Sequence, residues 1–116
     1  MSAVLERFLR YVKIDTESDR DSETYPSSAK QLDLLRLLAD ELRQIGLSEV
    51  RMDQYGYVTA TLEATTKTPA PVIGFLAHVD TSPDFSGKDV KPQVVENYDG
   101  GDIILNAAEK LVLSPQ

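Results

Sequence analysis

Across residues 28–63 the spacing of apolar side chains switches from a helical period to a strand period, which restricts the chain to folds in which a helix packs on a sheet. Leu32, Leu34, Leu35, Leu37, Leu38, Ala39, Leu42 and Ile45 form a stripe wider than a coiled-coil seam, as suits a helix lying flat on a sheet. Ser28 and Gln31 have the spacing of a capping box, and Gly46 can end the helix in the left-handed conformation. The predicted helix runs from about Ala29 to Ile45. "VRMDQ" and "YVTATLE" then alternate around Tyr55-Gly56, the pattern of two strands joined by a tight turn.

The flanking segments extend this α/β reading. Val4, Leu5, Phe8, Leu9 and Val12 predict an amphipathic helix from about Ala3 to Lys13. "DTESDRDSETYP" is a polar loop whose acidic residues imitate the start of a calcium loop, but Thr24 stands where the turn glycine belongs and Lys30 where the bidentate glutamate belongs. "EATTKTPAP" reads as an exposed linker. "VIGFLAHV" is continuously apolar, the signature of a strand covered on both faces, and Gly74 within it leaves room for a helix to pack closely. "VKPQVVENY" and "GDIIL" read as short extended segments around Asp99-Gly100-Gly101, and "KLVLSPQ" carries no terminating signal. The expected fold class is α/β, with two helices on a small mixed sheet.

Charge and composition remove several functions. Nineteen acidic against twelve basic side chains give a formal charge of -7, with the basic residues scattered, so neither nucleic acid nor a membrane surface is an expected partner. The absence of cysteine excludes disulfides, thiolate metal sites and cysteine nucleophiles. The charged, interrupted N-terminal segment is neither a signal peptide nor a membrane span, so an intracellular, soluble protein is expected.

The single histidine, His78, closes the long apolar run, and Asp80 follows two residues later. In an extended segment residues i and i+2 project to the same side, so imidazole and carboxylate can emerge together at a strand end, where open α/β sheets bind ligands. One ring nitrogen can then ligate a metal while the carboxylate accepts a hydrogen bond from the other. Spacing alone leaves open a second reading, a histidine that caps the strand and bonds its neighbour. A zinc site also wants three or four protein ligands, so the others must be carboxylates or lie outside these residues. No Gly-x-Ser-x-Gly elbow and no phosphate-cradling glycine motif is present.

"LERFLRYVKIDTESD", "YPSSAKQLDLLRLLADELRQIGL" and "IGFLAHVDTSPDFSGKDVKPQVVENYDGGDIIL" together resemble the N-terminal part of the peptidase T branch of the dizinc metallopeptidases, a family shared with carboxypeptidase G-like and aminoacylase-like hydrolases. The similarity runs over essentially all 116 residues, and "HVDTSPD" and "ENYDGGDI" are specific to that branch.

The resemblance implies that residues 1–116 are the N-terminal segment of a catalytic domain of the zinc-peptidase α/β/α sandwich type, without the lid domain or the rest of the catalytic domain. It implies a cytoplasmic, homodimeric tripeptide aminopeptidase with two zinc ions per intact active site and short peptides as substrates. His78 matches a zinc ligand, and Asp80 matches the aspartate of the catalytic site that holds this histidine. The bridging carboxylate, the general-base glutamate and the other ligands match nothing in these residues, so this stretch alone is expected to be inactive. Two further readings are a non-catalytic α/β binding or structural module and a related dizinc deacylase or dipeptidase. Apolar surface is expected to lie exposed where further chain would pack.

Overall fold

The computed structural model describes residues 2–115, so the final residue of "KLVLSPQ" lies outside the described residues. Helix α1 (Ala3–Tyr11) begins at Ser2, whose hydroxyl accepts the Leu5 amide. It ends two residues earlier than its apolar spacing predicts, because the Lys13 and Ile14 amides turn back to Arg10 and Tyr11 in tighter three-residue steps. Its apolar face is only partly covered: Leu5, Leu9 and Val12 are half-buried, whereas Val4 and Phe8 are exposed.

Helix α2 (Gln31–Ile45) carries the core. Ser28 does not cap it through its side chain. Instead, the Gln31, Leu32 and Asp33 amides bond to the carbonyls of Ser28, Ala29 and Lys30, a tightened entry turn that satisfies these donors without a hydroxyl. The Gln31 side chain donates to Ser27 Oγ at 3.3 Å rather than completing a capping box with Ser28. At the other end Gly46 takes φ +96°, with its amide on Arg43 and the Leu47 amide on Leu42, the paired bonds of a left-handed helix stop.

Strands β1 (Ser48–Met52) and β2 (Val58–Thr61) pair antiparallel. Ser48, Val50 and Met52 face inward while Glu49 and Arg51 face solvent, as the period-2 pattern predicts. A bulge between Ser48 and Arg51 accommodates Glu49 at φ +51°. In the connecting turn, Asp53 Oδ1 accepts the amides of Tyr55 and Tyr57, both at 2.9 Å. Gly56 sits there at φ +88°, and a Cβ at this position would lie 2.9 Å from Leu35 Cδ1 and 3.3 Å from Leu32 Cδ2. The turn glycine is therefore demanded twice, by backbone conformation and by the leucines of α2 packed against it.

Leu34, Leu35 and Ala39 are the buried apolar side chains among the described residues, and Thr16 and Gln31 are buried with them. Helix α1 is fastened to α2 through Glu41, which receives Arg10, the Tyr11 hydroxyl and, at 3.4 Å, Arg7 Nε. The tyrosine hydroxyl and the arginines hold the Glu41 carboxyl below its usual range, while burial and the same contact push Tyr11 up.

Beyond β2 the chain departs from the expected strand pattern. Residues 72–79 are hydrogen-bonded into no sheet, and Val72, Phe75 and Leu76 are at least 95% exposed. Gly74 has no neighbour within 4 Å of a would-be Cβ, so no helix packs there. "VKPQVVENY" likewise forms no strand. A strand exists only if another backbone accepts from its amides and donates to its carbonyls, and no described residue supplies that partner. Further on, β3 (Ile103–Asn106) and β4 (Leu111–Leu113) form a second antiparallel pair.

Among the described residues the α/β class is thus realised as two helices and two small antiparallel sheets, with one isolated parallel bridge between Glu17 and Thr81, rather than as one continuous mixed sheet. The radius of gyration of 18.0 Å exceeds the roughly 13 Å of a compact chain of this length, because the C-terminal half is spread out rather than layered on α2.

Candidate metal-ligand pair

His78 and Asp80 lie at the end of the unpaired apolar segment, and their side chains meet as the i, i+2 geometry predicts. His78 Nδ1 is 3.0 Å from Asp80 Oδ1. A carboxylate can only accept, so this contact places the imidazole proton on Nδ1 and leaves the Nε2 lone pair as the ring's ligand position. The imidazole is 83% exposed and the Asp80 side chain 46%, so solvent or a further part of a site can reach Nε2. The pair therefore fits a share of a metal centre, one nitrogen ligand with an outer carboxylate fixing its tautomer.

A whole centre is not assembled here. Among the described residues, no group of three or more histidine, cysteine, aspartate or glutamate side chains is placed to hold a metal ion. The acidic loop does not converge on His78. Its carboxylates instead serve local structure: Asp19 accepts the Asp21 amide at 3.0 Å, and Asp15 accepts Lys30 Nζ at 3.0 Å and the Glu17 amide at 3.1 Å.

The Lys30 ammonium, helped by the Glu17 amide, holds the Asp15 carboxyl below the ordinary aspartate range. A lowered folded pKa gives stability that is full above the unfolded value, near pH 3.9, and is lost as pH falls through the folded value. The denaturation midpoint of the chain should therefore fall below about pH 4 more steeply than that of Asp15→Asn, which cannot ionise at this position. Parallel pH profiles would remove the Lys30–Asp15 contact from the stability of the fold.

Residue spacing did not disclose what holds the backbone after the pair. Ser18 donates its amide to the Thr81 carbonyl at 3.0 Å, and the Thr81 amide donates to the Thr16 carbonyl at 3.2 Å. These partners are more than 60 positions apart in sequence, and Thr16 and Ser18 carry no local signal that separates them from Ser22 and Thr24 of the same loop.

No family model matches the chain. Curated proteins do match it over almost its entire length. It is 59% identical over 114 residues to peptidase T of Caldanaerobacter subterraneus subsp. tengcongensis, which covers 98% of this chain and 28% of that protein. It is 60% identical over 115 residues to peptidase T of Desulfitobacterium hafniense, covering 99% of this chain and 28% of the relative. With peptidase T of Lysinibacillus sphaericus the identity is 60% over 112 residues, 97% of this chain and 27% of the relative.

The class defined by these relatives is that of the peptidases. More narrowly, the chain is a close sequence relative of peptidase T over its own length, as its motifs imply, and it spans about 28% of the length of the relatives it matches. No helix among the described residues is long and apolar enough to cross a membrane.

Proposed function

We propose that the chain is the N-terminal, His78-bearing part of a zinc-dependent tripeptide aminopeptidase that releases the first residue of tripeptides, and that this stretch alone is inactive. The observation that carries the reading is identity of 53–60% to proteins named peptidase T across nearly the whole chain. The His78–Asp80 contact supports it chemically, because it presents one nitrogen ligand in a defined tautomer.

In this reading His78 would hold one of two zinc ions through Nε2, and Asp80 would keep the proton on Nδ1 and fix the orientation of the ring. Bound zinc at such a centre supplies Lewis-acid polarisation of a peptide carbonyl. The remaining ligands and the general base would, in this reading, come from chain beyond these residues. The substrate is a short peptide, the intact enzyme a cytoplasmic homodimer, and the negative charge disfavours nucleic acid and anionic lipid as partners.

The test is to express the full reading frame, determine its zinc content, and assay it on di-, tri- and tetrapeptides and on acylated amino acids. Two zinc ions per subunit and a preference for tripeptides are expected. Activity confined to acylated amino acids or dipeptides would move the protein to a related deacylase or dipeptidase. Zinc-free protein without hydrolase activity would overturn the reading and leave a binding module.

A further inference from the structure

We propose that the loop of residues 15–18 is a clasp that positions the His78–Asp80 pair, with Glu17 and Lys30 as its positioning residues; the inference rests on the metal-ligand reading of His78. Among the described residues, little else touches the pair. Both side chains project into solvent, and the eight residues up to Val79 make no sheet hydrogen bonds. Among the described residues, the backbone restraint nearest the pair lies on its C-terminal side, one residue past Asp80.

There the backbone of Thr81 is caught from both directions, by the Thr16 carbonyl and the Ser18 amide, in the only isolated bridge among the described residues. Ser18 Oγ adds a second donor to the Thr81 carbonyl at 3.1 Å. Thr16 is 3% exposed in a polar loop, so the bridge is shielded from competing water on the loop side. Three bonds to one residue fix both its position and the direction in which the chain leaves Asp80.

The clasp is itself anchored. The Glu17 carboxylate accepts the Gly87 amide at 3.3 Å, closing residues 81–87 back onto the loop. Lys30, at the entry to α2, reaches Asp15 at 3.0 Å and Glu17 at 3.8 Å and so ties the loop to the helix that carries the core. Gly87 fits against this junction without a side chain. A Cβ there would lie 3.1 Å from Asp15 Oδ1 and 3.3 Å from Thr81 Oγ1, tighter than ordinary contact. A continuous path thus runs from α2 through Lys30 and the loop to Thr81 and the imidazole.

The experiment uses the full-length protein carrying Lys30→Met or Gly87→Ala, with Arg36→Met as a control that breaks an exposed ion pair elsewhere on α2. Hydrogen exchange of the segment around Thr81 is measured without metal, and zinc affinity by competition with a chelator. Both clasp variants should speed exchange around Thr81 and weaken zinc about 10-fold, the scale of lost support behind a metal-binding histidine, while the control changes neither. Exchange and zinc affinity within twofold of wild type in both variants would overturn the clasp even if the protein is a zinc peptidase. Should wild type bind no zinc, the metal reading fails on its own. The clasp then stands if the variants speed exchange at Thr81 and alter the imidazole nitrogen resonances of His78, and falls if they do neither.

Discussion

Leu35→Ala is expected to cost about 2–4 kcal/mol of unfolding free energy, read from urea denaturation followed by circular dichroism. Leu35 is 9% exposed, and together with Leu34 and Ala39 it makes up the buried apolar side chains among the described residues. Its Cδ1 also faces Gly56, so truncation opens a gap between α2 and the hairpin turn. Small folded domains hold only about 5–15 kcal/mol in total, and a core this slight has few other contacts to absorb the loss. The same truncation at Leu62, which is 81% exposed, should cost less than about 0.5 kcal/mol. Equal effects at the two sites would show that α2 and the hairpin do not form the stabilising unit.

His78→Ala in the full-length protein is expected to remove zinc and to lower kcat/KM by on the order of 10³-fold or more, since a metal's electrophilic stabilisation is worth several kcal/mol. Asp80→Ala should be milder. It keeps the ligand nitrogen but frees the tautomer and ring orientation now set by the 3.0 Å contact, a loss of about 10- to 100-fold in metal affinity or turnover. Metal analysis alongside kinetics separates the two roles: His78→Ala loses zinc, whereas Asp80→Ala retains a detectable share of it. Full zinc content and normal hydrolysis in His78→Ala would remove this histidine from the metal centre and the function built upon it.

Much of the fold was legible because it depends on local periodicity. The leucine stripe of α2, its glycine stop and the alternating hairpin each rest on contacts between residues close in the chain, so spacing alone discloses them. The helix entry was misread at Ser28 for a related reason: a capping box and a tightened turn satisfy the same amide donors, and residue type does not distinguish them. The run at residues 72–79 pairs with no described backbone: its apolar composition reports a preference for burial, whereas a strand also needs a neighbouring backbone.

The candidate site divides along the same line. That His78 and Asp80 meet was settled by the sequence, because alternation in an extended segment leaves side chains two apart on one side. That Asp15, Glu17 and Lys30 converge beside Thr81 was decided only by tertiary structure. The energy of those contacts depends on the separation of charges and amides in space, and distances along the chain of 15 residues for Lys30–Asp15 and more than 60 for the bonds to Thr81 leave no periodic trace of it.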